Sequence, residues 1–229
     1  MAKLSGYILL LLVLLIIMIS GCIGESPSTS TGVTGNSSTS STPTTTPASE
    51  LIFPEKVSFI AVLTVAKNGT TIANYSYTAT IDYIRGNANV TRRSVYHPGD
   101  PRLTGNWHVE KILIENRTSV RFYVVPPATW IPVPENQTAD IIASVFDGNP
   151  YSILFSLLEN TSNCRTCAFH VRLTPEEVSK LLEPLVGKEN PPDIPLEGTA
   201  FVKDGFLIKV HLHGDNYQTY EFILEVKEK

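Results

Sequence analysis

From Leu51 onward, apolar and polar positions alternate in short runs separated by turn signals. Between Tyr75 and Tyr83 the odd positions are apolar or aromatic (Tyr75, Tyr77, Ala79, Ile81, Tyr83) and the even ones polar (Asn74, Ser76, Thr78, Thr80, Asp82). A pleated strand sends successive side chains to opposite faces, so this period of two predicts a sheet with one wet face. Ahead of it, Lys56–Lys67 is a β-rich run ending in Asn68-Gly69, the strongest short hairpin signal. Gly86 marks the next turn, followed by a weaker strand at Val90–Tyr96. After a Pro98–Gly105 loop come Trp107–Glu115 and Val120–Val125.

In the middle of the chain the period changes. Thr138 is placed to cap a helix that carries Ile141, Ile142, Val145 and Phe146 on one face and stops at Gly148. Pro150 opens a second helix in which Tyr151, Ile153, Leu154, Phe155, Leu157 and Leu158 leave almost no polar side. A helix that is apolar all round is buried on both sides or faces a cavity or ligand. Ala168–Leu173 reads as extended. Thr174-Pro175-Glu176-Glu177 forms a capping box with proline at the first helical position. Val178, Leu181, Leu182 and Leu185 make the core stripe of that third helix, Pro184 bends its last turn, and Gly187 ends it. Asp204-Gly205 then joins Thr199–Lys203 to Phe206–His213, where Phe206, Ile208, Val210 and Leu212 share one face. The last strand turns Tyr220, Phe222, Leu224 and Val226 inward. The expected fold is α+β: one curved, half-barrel-like antiparallel sheet of about seven or eight strands, with about three helices on its concave face.

The first 50 residues follow neither period. Lys3 precedes Tyr7–Ile19, an apolar run of 13 residues. As a helix it is about 20 Å long, short of the roughly 30 Å of a bilayer core and suited to a signal peptide over 1–21. Ile19-Ser20-Gly21-Cys22 resembles the lipobox of prokaryotic lipoproteins, which marks Cys22 for lipid attachment; an uncleaved helix over 4–23 is the competing reading. From Gly24 to Glu50, 16 of 27 residues are Ser or Thr, with Pro27, Pro43 and Pro47 among them. So little apolar surface cannot offset the entropy of ordering, which makes 22–50 a stalk of about 30 Å as a coil and about 80 Å extended. Either reading of the leader tethers the remaining 51–229, one domain, to the outer face of the cell membrane.

Composition sharpens this picture. The formal net charge is −4, with no Lys/Arg stripe, so the phosphate-neutralising footprint of a nucleic-acid binder is missing. N-x-Ser/Thr triplets stand at Asn36, Asn68, Asn74, Asn89, Asn116, Asn136 and Asn160. Six of the seven fall in the folded part of an exported chain, an excess that marks exposed loops and outward faces as N-glycosylation acceptors.

Candidate chemistry is sparse. Cys164-Arg165-Thr166-Cys167 has the spacing of a thiol redox motif, which works at a helix N-terminus after a parallel strand. Here a strand-like segment follows, and an oxidising compartment favours a structural disulfide between Cys164 and Cys167. His211 and His213 lie on one strand face, but Lys209 shares it and no third ligand is evident, so a solvated face is the better reading than a metal site. No nucleophile elbow, zinc-helix motif, phosphate-binding glycine loop or EF-hand is present, which leaves no catalytic constellation and no cofactor.

The order of elements resembles the LolA/LolB-like carriers and their mycobacterial LppX/LprG relatives. The features that carry the resemblance are Trp107, the Phe122-Tyr123-Val124-Val125 strand, the helical insert at 138–160, the capped helix at 174–186 and the terminal Thr219-Tyr220-Glu221-Phe222 strand. The match is one of topology across most of 51–229. The family lacks a required Cys-x-x-Cys, and a clear long N-terminal helix is not evident here. The resemblance implies a hydrophobic concavity that binds a lipid or lipidated chain, with no enzymatic activity. Its lining would come from Tyr75, Tyr77, Tyr83, Ile142, Phe146, Leu154, Phe155 and Leu158. The anchor, stalk and sequon density are similar to those of archaeal surface lipoproteins. The alternatives are a surface-layer or adhesion-type protein with a filled core and, resting on the cysteines alone, an exported thiol oxidoreductase.

Overall fold

Hydrophobic alternation becomes burial along the two central strands. Val57, Phe59, Ala61, Leu63 and Val65 are buried in β1 (Lys56–Lys67), as are Ala73, Tyr75, Tyr77, Ala79 and Ile81 in β2 (Thr70–Asp82), while their neighbours face outward. A computed structural model describes residues 51–96, 108–125, 127–160, 164–187 and 192–229. The leader and stalk expected over 1–50, with Cys22 and Asn36, and the strand start at Trp107 lie outside the described residues.

The other strands are β3 (Asn87–Tyr96), β4 (His108–Glu115), β5 (Ser119–Val125), β6 (Thr129–Pro132), β7 (Cys167–Leu173), β8 (Leu196–Lys203), β9 (Phe206–Asn216) and β10 (Gln218–Glu228). The helices are α1 (Glu135–Phe146), α2 (Pro150–Leu158) and α3 (Pro175–Val186). All the strands join one open antiparallel sheet in the order β6-β5-β4-β3-β2-β1-β10-β9-β8-β7. The class is the expected α+β, with ten strands rather than seven or eight. Four-residue β6, closed by Pro132, is too short to show a period.

Turn chemistry sets the hairpins. Asn68 and Gly69 (φ 52° and 76°) and Asp204 and Gly205 (φ 56° and 83°) both take the left-handed pair that matches strand twist. Gly198 of β8 stands where an added Cβ would run into the carbonyl of His211 on β9, so only glycine allows that close approach. Three residues further on, a β-bulge corrects the expected face of β9. Phe201 pairs with Lys209 but Val202 with Leu207, leaving Ile208 as the extra residue. Leu207 is therefore fully buried together with Val210 and Leu212, while Phe206 and Ile208, expected inside, are half-buried.

The helix ends differ in how they are made. Thr138 does not cap α1: the helix begins at Glu135, after Pro134, and the Thr138 hydroxyl donates back to the Pro134 carbonyl (3.1 Å). Asn149 caps α2, its side-chain oxygen accepting from the Ser152 N–H (3.0 Å). At α3 the capping box is complete: the Glu177 carboxylate accepts from the Thr174 N–H (2.7 Å) and the Thr174 hydroxyl from the Glu177 N–H (3.4 Å). Pro184 stays inside α3, and Gly187, at φ 84°, terminates it.

The helices cover one sheet face. α3 reaches from β7 to β2, α1 packs on β3 and β5, and α2 packs on α3. Val178, Leu181, Leu182 and Leu185 of α3 join the inner side chains of β1, β8, β9 and β10 in a continuous core. Each fully buried aliphatic or phenyl side chain there contributes about 1.5–3 kcal/mol. Thr46–Lys229 forms one compact unit. Among the described residues no single helix is long and apolar enough to cross a membrane.

Candidate functional site

Strand register builds the floor of a cleft. Tyr77 of β2 pairs with Arg92 of β3, and Val90 of β3 with Ile112 of β4. Cross-strand partners share a face, so Arg92 stands with Tyr77, Val90 and Ile112 on the side that the helices cover. Val145 and Asp147 of the α1 end, Ser152, Ile153 and Leu157 of α2, and Lys180 and Pro184 of α3 form the walls. Together they enclose a cleft of about 760 Å³, within the range of roughly 300–1,000 Å³ typical of small-molecule sites.

Helix α2 explains why one side of the helical layer is filled and the other is not. Tyr151, Leu154, Phe155 and Leu158 are buried in the core. Ile153 and Leu157, four residues apart and half-buried, face the cleft beside Ser152 and Ser156. The nearly all-round apolar surface thus serves two places, a packed interior on one side and the cleft wall on the other.

Of the eight residues expected to line a cavity, Tyr77 lines this cleft. Phe146, Leu154 and Leu158 are 1%, 0% and 3% exposed and belong to the packed core with Tyr75 and Phe155. Ile142 packs against that core from α1, and Tyr83 stands half-buried just past β2. The residues that sequence reasoning missed had visible signals. Ile153 and Leu157 alternate with Ser152 and Ser156 at helical spacing, and Arg92 falls on the parity of buried Ala88 and Val90.

A polar pin fixes the α1–α2 bend of 52° to the sheet. Asn149 is fully buried, and its amide nitrogen meets the carbonyls of Val145 (2.9 Å) and Phe146 (3.0 Å). The Ser152 hydroxyl donates to the Phe146 carbonyl (2.9 Å), so the Tyr83 hydroxyl, 2.9 Å away, donates to Ser152. Around this pin, Phe53 packs edge-on against Tyr83 (4.7 Å between centroids) and Phe155 (4.9 Å), and Phe59 stacks on Tyr77 at 5.9 Å.

Desolvation governs the electrostatics. Burial pushes the Tyr77 and Tyr151 hydroxyls well above the usual tyrosine range. It raises Tyr83 as well, against its hydrogen bonds with Ser152 and Asn149. Burial also presses Arg92 below the usual arginine range, with Tyr77 acting weakly the other way. All four keep their neutral-pH charge states, since arginine does not lose its proton in proteins.

Other candidates lie elsewhere. The sulfurs of Cys164 and Cys167 are at disulfide distance, with Cα atoms 6.1 Å apart, and the pair opens strand β7 rather than a helix. That turn is pinned by the Gly205 N–H donating to the Arg165 carbonyl (2.7 Å). His211 and His213 are exposed on β9, and His211 Nε2 meets Glu221 Oε1 at 2.9 Å. No group of three metal-ligating side chains occurs among the described residues. Asn68, Asn89, Asn116, Asn136 and Asn160 are exposed and Asn74 is half-buried.

No protein-family model matches the chain, and no curated protein matches it. Among solved structures it is similar to the crystal structure of a LolA superfamily protein from Nitrosomonas europaea, at 11% identity over 80% of this chain and 89% of that one, with a TM-score of 0.23.

Proposed function

We propose that this protein is a membrane-anchored, extracytoplasmic lipoprotein whose domain binds or carries a lipid or other amphipathic ligand without enzymatic chemistry. The observation that carries this reading is the cleft of about 760 Å³ between the helices and β2–β4, walled by Ile112, Val145, Ile153 and Leu157. An apolar concavity with a few convergent polar groups is the usual form of a small-molecule site. The leader, the lipobox at Cys22 and the Ser/Thr/Pro stalk support the tethered exterior address, and the sequons on exposed positions support a glycosylated surface. A LolA-like carrier is the family-level form of the same proposal.

The test is native mass spectrometry of the unit Thr46–Lys229, its folding checked by circular dichroism, together with uptake of a fluorescent fatty acid. A co-purifying lipid, or uptake lost on Leu157→Arg, is the expected result. A folded unit that takes up nothing overturns the carrier and favours a surface-layer or adhesion-type interaction protein. Thiol titration of the same sample addresses the oxidoreductase reading, which requires two accessible thiols at Cys164 and Cys167.

A further inference from the structure

We propose that Arg92 reads an anionic headgroup, and that the cleft's ligand is a single-chain amphiphile carrying a carboxylate or phosphate at one end. This rests on the carrier reading of the cleft and narrows it to a class of ligand.

The argument begins with the side chain's position. Arg92 is on the inner face of the sheet, opposite Tyr77, where neighbouring positions hold Ala88 and Val90. A cation in such a place is costly unless a counter-charge compensates it. Continuing the register from Val90–Ile112 would set Glu110 opposite Arg92. A β-bulge intervenes: Val109 pairs with Val124 and Lys111 with Tyr123, leaving Glu110 as the extra residue of β4. The Glu110 carboxylate bonds instead to Arg93 (3.3 Å), the next residue on β3, whose side chain points to the opposite face. Among the described residues no hydrogen bond or ion pair engages the Arg92 guanidinium.

The cleft's other charged groups stand on its walls. Lys180 on the wall is held by Glu176 at 2.8 Å. Asp147 and Glu183 also line the cleft, but among the described residues neither forms an ion pair with Arg92, whose cross-strand neighbour is the uncharged phenol of Tyr77. The floor therefore offers one uncommitted forked donor among the described residues, a group suited to two-point binding of carboxylate or phosphate.

Size limits the rest of the ligand. With about 30 Å³ for each methylene-sized group, as for a water molecule, 760 Å³ holds about 25 heavy atoms. A single-chain amphiphile of about 20 heavy atoms therefore fits within the cleft. The alkyl chain would lie along Ile112, Val145, Ile153 and Leu157.

The test uses the full chain in membranes and a diazirine-bearing hexadecanoate as a photoreactive probe, with cross-linked peptides identified by mass spectrometry. Labelling is expected in the peptide that holds Ile153 and Leu157. Hexadecanoate or hexadecyl phosphate should compete about tenfold better than methyl hexadecanoate, as expected when a half-buried charge is matched or left unpaired. Whichever anion competes better identifies the headgroup. In Arg92→Met the preference for an anion should fall to within about twofold while a methyl-ester probe still labels the cleft. Arg93→Gln, on the outer face, should keep the wild-type preference. Equal competition by acid and ester in the wild-type chain, with the cleft still labelled, overturns the headgroup proposal and leaves the carrier reading standing. No labelling of the cleft in a chain whose protease resistance shows it to be folded overturns both.

Discussion

The two halves of the sheet share a backbone plan and differ in what they put on the inner face. On the side of β1, β10, β9 and β8 the inner positions include Val57, Leu63, Leu224, Phe222, Leu212, Val210, Leu207 and Leu196, each 0–1% exposed, and the leucines of α3 join them in one core. On the side of β2–β4 the inner positions include Tyr77 and Arg92, and the helices above leave a cleft. Branched aliphatic chains interdigitate at close-packed density from either layer. A tyrosine or an arginine keeps a polar tip that needs a partner or water, so the helices cannot settle onto that half with the same closeness. The composition of the inner face, more than the number of helices, decides where the molecule stays open.

The sharpest way to break the comparison is within α2, where two leucines three residues apart face opposite halves. Leu154→Ala, in the filled core, should cost about 2–5 kcal/mol, and Leu157→Ala, on the cleft wall, about 1 kcal/mol or less, read from urea midpoints at constant slope. Equal losses would mean that the cleft wall is packed as tightly as the core. Next in size is the pin between the halves. Asn149→Ala removes the α2 cap and leaves the Val145 and Phe146 carbonyls short of a donor, a loss of about 2–3 kcal/mol in the same assay. Tyr83→Phe, which loses the hydrogen bonds to Ser152 and from Asn149, should cost about 1–2 kcal/mol.

Arg92→Met has the opposite sign. Relieving an uncompensated inward cation should leave stability unchanged or raise it by about 1 kcal/mol, whereas a structural arginine would be missed. Removing the exposed Arg93–Glu110 pair with Arg93→Met should move it by about 0.5 kcal/mol or less. The last effect is absent at neutral pH. Tyr77, Tyr83 and Tyr151 all have folded-state pKa values raised by burial. Their contribution is complete below about pH 10, the unfolded tyrosine value, and is lost as pH rises through the folded values. Thermal midpoints should therefore fall on the alkaline side, and Tyr77→Phe or Tyr151→Phe should flatten that fall.

How much of this the sequence discloses depends on whether a feature is local. The faces of β1 and β2, the Asn68-Gly69 and Asp204-Gly205 turns and the Thr174 capping box are written in residues adjacent to one another, and each stands where expected. Bulges are not local. Whether Leu207 or Ile208 turns inward depends on how β9 registers with β8, and the outward turn of Glu110 depends on the partners of β4. The cleft was hidden for a related reason. The pattern of α2 shows that it is apolar nearly all round, but not which side meets the filled core, so Phe146, Leu154 and Leu158 stood in for Ile153 and Leu157. Thr138 failed as a cap because Pro134 and Glu135 start α1 a turn earlier.

The way the chain enters the domain has a mechanical consequence. At its first described residues, the Ile52 N–H donates to the Gly205 carbonyl at the tip of the β8–β9 hairpin (2.7 Å), and Phe53 wedges between Tyr83 and Phe155. β1 follows at once and is bonded along both edges, to β2 and β10. A pull on the N-terminal side therefore loads a clasp and then two ladders in parallel, which must slip together before the strand can leave. Such a pull reaches α2 first, through the contact of Phe53 with Phe155, and then the middle of the sheet.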